Sequence, residues 1–182
     1  MTLDLRWLTP LAALALPVPQ CIAAQYMTVD QARMLIFDKA VEFVAAPLEM
    51  SPDQVRELEQ ASGVKSRTPK QPVWKAMAKG SKFLGWFIID QVIGKHELIT
   101  YAAGITPEGA LKQFQVIEYK EAWGSQVRLL PWRDQFVGKT TADRLEVHSD
   151  ISNNSGGTMS AVSMARGIRR LLFLRQLYLR EH

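Results

Sequence analysis

The sequence predicts an α+β fold in which N-terminal helices precede an antiparallel β-meander and a C-terminal helix closes a single domain. Three observations predict it. Apolar residues recur at helical spacing early in the chain, runs rich in β-branched and aromatic residues follow, and an apolar, arginine-rich run comes last. The chain has 182 residues and is 47% hydrophobic, which is enough for a sizeable core and too apolar for disorder.

The first 24 residues have the outline of a secretory signal peptide. An apolar run, Trp7–Pro19, precedes the small residues Ala23 and Ala24, where a signal peptidase would cut. The run is shorter than the roughly 20 apolar residues that a membrane span needs. Cleavage would remove Cys21, the only cysteine, so the mature protein would contain neither thiol nor disulfide. We therefore expect a periplasmic or otherwise extracytoplasmic protein, either free or associated with a membrane.

Residues 25–72 are predicted to form an N-terminal helical segment. Apolar residues recur at helical spacing over Val29–Val44. Ser51–Pro52 starts a second helix, because serine caps a helix and proline suits its first turn. This helix ends near Gly63, and Thr68–Pro72 connects it to the next region.

Four strands are predicted to follow in a meander. They are Val73–Met77, Phe83–Val92, Glu97–Gly104 and Leu111–Tyr119. Gly94–His96 is typical of a hairpin connection, and Thr106–Gly109 is a turn by composition. After Pro131 the pattern weakens until a final helix, which begins near Thr158 and runs almost to the end of the chain.

The chain is mildly basic, with a formal net charge of +4. Much of the positive charge lies in the final helix. Its arginines are Arg166, Arg169, Arg170, Arg175 and Arg180. Such a helix can indicate binding to nucleic acid or to an anionic membrane surface. No zinc-ligand spacing or aromatic RNA-binding motif supports binding to nucleic acid. We therefore predict no nucleic-acid partner and a packed helix with a solvated arginine face.

Metal-binding and hydrolytic patterns have little support in the sequence. His96 and His148 are the only histidines within the predicted fold, and they are too few for a metal site. No Ser-His-Asp or paired-carboxylate arrangement has a useful spacing. The sequence therefore predicts neither a metal site nor catalytic residues.

The most informative stretch is Ser155–Ser160, in which two glycines lie between hydroxyl residues directly ahead of the final helix. Glycine lets the backbone approach a ligand closely, and the N–H groups of a helix start favour phosphate. A hydroxyl at this point could bind a phosphate or be joined to one covalently. Ordinary helix capping explains the same residue types, and this stretch alone leaves both interpretations open.

Three motifs follow one another along the second half of the chain. The first is the strand pair Gly85–Ala102, and the second combines Tyr119–Gly124 with Trp132–Lys139. The third is Asp150–Ser160, which contains the hydroxyl and glycine stretch. In this order the motifs resemble the FMN-binding domain family. That family includes flavin-carrying components of the sodium-pumping NADH:quinone oxidoreductase and of the Rnf electron-transport complex, together with NosR-type regulators.

The resemblance covers Val73–Leu179, and the chain departs from the family pattern in the second and third motifs. Glu121 and Gly124 match a Glu-Thr-Pro-Gly motif of the respiratory members, whereas Trp123 stands where that motif has proline. Gly157 stands where the family's Ser-Gly-Ala-Thr signature has alanine, and Asn154 stands where an apolar residue often precedes the serine. Glycine adds backbone freedom at position 157.

The resemblance implies FMN joined to Thr158 by a phosphoester bond, which a dedicated flavin transferase forms from FAD. The implied cofactor-binding residues are Ser155, Gly156, Gly157, Thr158, Ser160, Glu121, Trp123, Gly124 and Lys139. Glu121 and Lys139 would contact the ribityl chain or the phosphate, with solvated surface charge as the alternative. Trp123 and Trp132 would shield the flavin ring, with core packing as the alternative.

The resemblance implies an electron-transfer flavoprotein whose FMN-binding domain spans residues 73–182. Its redox partner would be a membrane redox complex or a soluble cytochrome. Nothing in the sequence resembles a nicotinamide site, so we favour a carrier over a stand-alone enzyme. Two alternatives stay open. One is a flavoenzyme component that reduces a small acceptor, and the other is a non-redox binding module that has lost its flavin.

Overall fold

A six-stranded antiparallel sheet forms the centre of the fold. The computed structural model of the chain describes residues 24–120, 124–153 and 157–180. The strands are β1 (Ala24–Gln25), β2 (Glu42–Ala45), β3 (Leu48–Glu49), β4 (Lys70–Gln71), β5 (Val73–Ala78), β6 (Lys82–Ile93), β7 (Leu98–Ile105) and β8 (Leu111–Tyr119). The sheet has the order β1-β8-β7-β6-β5-β2, and β3 and β4 form a separate pair.

The described residues form four α-helices around this sheet. They are α1 (Val29–Ile36), α2 (Pro52–Ser62), α3 (Leu130–Arg133) and α4 (Thr158–Tyr178). The α2 helix begins at a capping box in which the Ser51 hydroxyl accepts from Gln54 N–H and the Gln54 side chain accepts from Ser51 N–H. It ends at Gly63, whose φ of 71° is in the left-handed region that favours glycine. The predicted α+β class, the meander and the closing helix are confirmed.

The core occupies both faces of the sheet. On one face the larger cluster packs α2 and α4 against the inward side chains of β6, β7 and β8, including Ile88, Tyr101 and Phe114. On the other face α1 contributes Ala32 and Ile36 to a smaller cluster. Alternate residues of each strand point to opposite faces, so the sheet needs a cover on both.

The predicted helix Val29–Val44 is wrong in its second half. The helix ends at Ile36, and Glu42–Ala45 pairs with β5 as an edge strand. Phe43 lies edge-to-face against Phe87, with 5.6 Å between the ring centroids. Pairing with β5 gives this run backbone hydrogen bonds that its apolar spacing does not reveal. The segment 25–72 therefore contributes strands as well as helices.

The predicted solvated arginine face of α4 is wrong for Arg170. This side chain is 2% exposed, and its Nη2 lies 2.5 and 2.6 Å from the two carboxylate oxygens of Asp90 on β6. The Tyr101 hydroxyl donates to the same carboxylate at 2.5 Å. The three side chains form a buried ionic cluster between α4 and the sheet, which we call the Asp90 cluster.

Two further arginines of α4 fasten loops to the helix. Arg169 donates to the main-chain carbonyl of Ser62 and to two carbonyls of the loop before α4. Arg175 donates to the carbonyl of Pro107 in the β7–β8 turn. Arg166 and Arg180 are exposed, as predicted. In the ranges that the structure describes, no helix combines the length and the apolarity that a membrane crossing requires.

Candidate functional site

The candidate site lies at the start of α4, which begins at Thr158 as predicted. Gly157 is the N-cap and supplies no side-chain acceptor to the first turn. The Thr158 side chain is exposed, and the Asn153 side-chain amide donates to its Oγ1 at 3.2 Å. A solvent-accessible hydroxyl therefore stands at the positive end of a 21-residue helix.

Two glycines bring the second and third motifs into direct backbone contact. A Cβ atom placed on Gly157 would lie 2.5 Å from Gly124 Cα and against the Gln126 side-chain amide. Gly124 itself has φ of 88°, and a Cβ there would lie 2.8 Å from the Tyr119 hydroxyl oxygen. Real Cβ atoms essentially never come this close to another heavy atom. The glycine at position 157, a departure from the family signature, thus matches a close approach that alanine would obstruct.

Ser160 fastens the first turn of α4 to the end of β8. Its Oγ lies 3.0 Å from the hydroxyl oxygen of Tyr119, the last residue of that strand, and both side chains are buried. The contact holds the helix start at the same sheet end from which Gly124 follows. Ser160 is therefore a support for the site, with its hydroxyl engaged inside the protein.

The structure brings together four of the nine predicted cofactor-binding residues. These are Gly124, Gly157, Thr158 and Ser160. Ser155, Gly156, Glu121 and Trp123 lie outside the described residues. Their predicted contacts therefore stay predictions.

Lys139, the ninth predicted residue, is the last residue of the second motif and lies in the loop that leads to α4. Its Nζ forms ion pairs with Asp143 at 3.1 Å and with Asp150 at 3.2 Å. Asp150 also accepts the main-chain N–H groups of Leu145 and Glu146. The Lys139 ammonium group thus links two carboxylates of its own loop, Asp143 and Asp150, and its ion pairs stabilise the conformation of that loop.

Hydrogen bonds within this loop shift the pKa values of Lys139, Asp143 and Asp150. The Thr140 N–H donates to Asp143 and, together with Lys139, lowers the pKa of that carboxyl. Burial raises the pKa of Asp150, but N–H donation from Glu146 and Leu145, with Lys139 nearby, outweighs burial and lowers it. Hydrogen bonds to Asp143 and Asp150 raise the pKa of Lys139. All three shifts favour the charged forms that the fold contains.

We expect the stability of the protein to fall below about pH 4 in part because of these two carboxylates. A carboxyl with a lowered folded-state pKa contributes stability that is complete above its unfolded pKa and is lost as pH falls through the folded value. Urea unfolding between about pH 3 and pH 6 should show a shallower pH slope in Asp143→Asn/Asp150→Asn than in the parent. An unchanged slope in the double variant would contradict the expectation.

Trp132 belongs to the core, as the packing alternative predicted. Its ring centroid lies 4.8 Å from that of Phe136 and 6.1 Å from that of Phe114. Its indole N–H donates to the Ser152 carbonyl at 3.1 Å. The indole thus supports the segment that leads to Thr158 from the protein side.

Three supporting residues escaped the sequence analysis. Gln135 accepts from the Ser152 N–H and from its hydroxyl, both at 2.7 Å, Asn153 reaches Thr158, and Tyr119 reaches Ser160. Each is a polar group whose partner lies in another segment or across a turn. No periodic pattern or motif spacing in the sequence marks such partners.

In the described part of the chain, no group of three or more potential metal-ligating side chains comes together.

Comparison with known proteins identifies the fold. No protein-family model and no curated protein sequence matches the chain. Among solved structures, the crystal structure of Shewanella oneidensis NqrC is similar, with a TM-score of 0.54 and 17% sequence identity.

The chain has the fold of NqrC.

The match covers 79% of this chain and 87% of the NqrC chain. At this level of identity the likeness concerns the fold alone, and the fold is the one that the sequence resemblance implies.

Proposed function

We propose that the chain is an extracytoplasmic electron-transfer flavoprotein that carries FMN through a phosphoester bond at Thr158. The fold shared with NqrC supports the coarser part of this proposal, a flavin electron-transfer role. The attachment point rests on a single observation. The hydroxyl of Thr158 is exposed at the first position of α4, in the segment that resembles the family signature.

The residues around Thr158 fit a phosphodiester. The N–H groups of the first helical turn and the helix dipole favour a negative group at this end. The N-cap residue Gly157 has no side chain, so it places no carboxylate beside these N–H groups. A phosphoester at Thr158 would therefore have its charge offset by the helix start.

Asn153 fits the same assignment. Its side-chain N–H donates to Thr158 Oγ1, and an ester oxygen can still accept that hydrogen bond. The buried Asn153 Oδ1 has no partner among the described residues. The Asn153 amide would therefore orient the threonine oxygen both before and after attachment.

In this proposal the protein positions the cofactor and the cofactor supplies the redox chemistry. Ser160 and Tyr119 hold the start of α4 against β8, and Trp132 and Gln135 hold the segment that precedes it. Such supports fix the attachment oxygen relative to the sheet. We assign no catalytic residue to the chain.

The location and the partners are part of the proposal. The predicted signal peptide, residues 1–24, supports export, and the family resemblance supports maturation by a flavin transferase. The redox partner would then be a membrane redox complex or a soluble cytochrome. The predicted signal segment lies outside the described residues, apart from Ala24.

Intact mass spectrometry tests the attachment. The full chain is expressed with and without a flavin transferase, beside Thr158→Ala and Ser160→Ala. We expect the parent to gain one FMN less one water only with the transferase, and Thr158→Ala to gain nothing. Ser160→Ala keeps the Thr158 hydroxyl and should keep the mass gain, because its own hydroxyl is bonded to Tyr119.

Three other outcomes would change the proposal. A yellow protein without a mass gain would indicate non-covalent FMN and would reduce Thr158 to a phosphate contact. A colourless parent after co-expression would favour the non-redox binding module. Retention of the mass gain in Thr158→Ala together with its loss in Ser160→Ala would move the attachment to the second hydroxyl.

A further inference from the structure

A groove made of two adjoining depressions runs along α4. Its first part is a depression of about 440 Å³ between the end of α2, the loop from Arg144 to Val147, and α4. Its second part, about 180 Å³, lies between Val64–Arg67, the end of β6, and α4. Val64 and Arg166 line both parts, so the two depressions are neighbours along one strip of the surface.

Four exposed cationic side chains line this groove, which we call the basic groove. They are Lys65, Arg67, Arg144 and Arg166. None of the four side chains forms an ion pair or a hydrogen bond with another described residue. Their charges are therefore available to a group outside the molecule.

The acidic groups nearby do not balance these cations. Among the described residues that line the two depressions, Glu146 is the one carboxylate. Glu59 lies close to Lys65, but its Oε1 accepts the Ser66 N–H at 2.7 Å. Arg169 and Arg170 also line the groove, but their guanidinium groups already bind carbonyls and Asp90. The basic groove therefore has a net positive charge, because its four exposed cations outnumber its one carboxylate among the described residues.

The groove lies beside the proposed attachment point. Arg166 is eight residues after Thr158 on the same helix, which corresponds to about 12 Å along the axis. Positions 162, 165 and 169 of α4 line the groove and share a helical face with Thr158, because residues four, seven and eleven apart align. A molecule bound in the groove would therefore be adjacent to a cofactor on Thr158.

We infer that the basic groove docks an acidic surface of the redox partner that exchanges electrons with the flavin. This inference rests on the proposed function. Exposed charges of one sign attract a partner of opposite sign and mainly raise the rate of association. They do so without a permanent interface, which suits a carrier that must release its partner after each transfer.

Binding of a fluorescent deca-glutamate peptide tests the groove without any flavin. The Thr158→Ala chain is titrated with the peptide at about 0.01 M and about 1 M salt, where the screening length falls from about 30 Å to about 3 Å. We expect binding at low salt only, and about tenfold weaker binding when Arg144→Gln and Arg166→Gln are added. The matched control adds Lys79→Gln and Lys82→Gln, which remove equal charge at the far end of β6, and should bind like Thr158→Ala alone.

The redox arm uses two small acceptors of opposite charge. Oxidation of the reduced, flavin-loaded chain by anionic ferricyanide should slow in Arg144→Gln/Arg166→Gln, whereas oxidation by cationic hexaammineruthenium(III) should not. Equal weakening of peptide binding in the lysine control would overturn the groove, since net charge would then explain the effect. Peptide binding without a change in ferricyanide oxidation would overturn the redox assignment. Intact mass of the same samples reports flavin attachment separately, so failure of the proposed function is visible independently.

Discussion

Arg170→Met is expected to lower the free energy of unfolding by about 3–5 kcal/mol, because it leaves the Asp90 carboxylate buried without its cation. Asp90 is 7% exposed and accepts two contacts from Arg170 and one from Tyr101. Breaking a buried ion pair on one side costs far more than the pair itself contributes, since the remaining charge keeps its desolvation penalty. Urea unfolding at neutral pH measures the loss.

The Tyr101 hydroxyl also stabilises the charged Asp90 carboxylate, to which it donates a hydrogen bond. Burial raises the pKa of Tyr101 well above its ordinary value, and the Asp90 charge raises it further. The phenol therefore remains protonated and donates to the carboxylate. Burial alone would lower the pKa of Arg170, but the Asp90 charge outweighs burial and raises it. Tyr101 and Arg170 thus keep their protons across the neutral pH range.

Two further variants separate charge from packing. The triple variant Asp90→Leu/Arg170→Met/Tyr101→Phe removes every polar member and should recover a substantial part of the lost stability, because apolar replacement of a buried ion pair is often neutral. Arg166→Met changes an exposed arginine of the same helix and should stay within about 0.5 kcal/mol of the parent. A small effect of Arg170→Met would contradict the buried ion pair.

Gly157→Ala is expected to destabilise the protein by about 1–3 kcal/mol, although it restores the alanine of the family signature. The new Cβ would lie 2.5 Å from Gly124 Cα, and a backbone atom cannot move aside as a side chain can. The φ of Gly157 is −149°, which any residue adopts, so the expected cost comes from the contact rather than from backbone strain. Thermal and urea unfolding of the variant measure it.

A second substitution apportions the cost. In Gly157→Ala/Gln126→Ala the clash with the Gln126 side chain is removed while the contact with Gly124 remains. The double variant should stay less stable than Gln126→Ala alone by about 1 kcal/mol or more. Equal stability of these two proteins would show that only the glutamine limits position 157.

Local signals allowed most of the fold to be predicted. The cap at Ser51 and the glycine at position 63 placed α2, and alternation placed β8 over Leu111–Tyr119. The error after Ile36 arose because Phe43 satisfies a helical period, while its real partners lie on β5 and β6. Such pairing depends on distant residues, so the spacing of apolar residues does not reveal it.

The site was predictable in its components but not in its contacts. The glycines and hydroxyl residues at its centre are apparent in the sequence, whereas the closeness of Gly124 to Gly157 depends on how β8 and α4 meet. Arg170 shows the same limit, since an arginine on a helix is ordinarily solvated unless a buried carboxylate lies opposite. That carboxylate, Asp90, is 80 residues earlier in the chain. Spacing within one element does not reveal a partner so far away.

The anchors of α4 bear on the order in which the protein can fold. Arg169, Arg170 and Arg175 bind groups that lie 107, 80 and 68 residues earlier, and α4 is the last described element along the chain. Contacts of such long sequence separation slow folding, because large loops must close before any of them forms. During synthesis, Asp90 and the β7–β8 turn must wait for their partners until the helix has emerged. The segment that carries Thr158 is therefore the last to cover the sheet, and a chain without it would expose the apolar face that α4 covers.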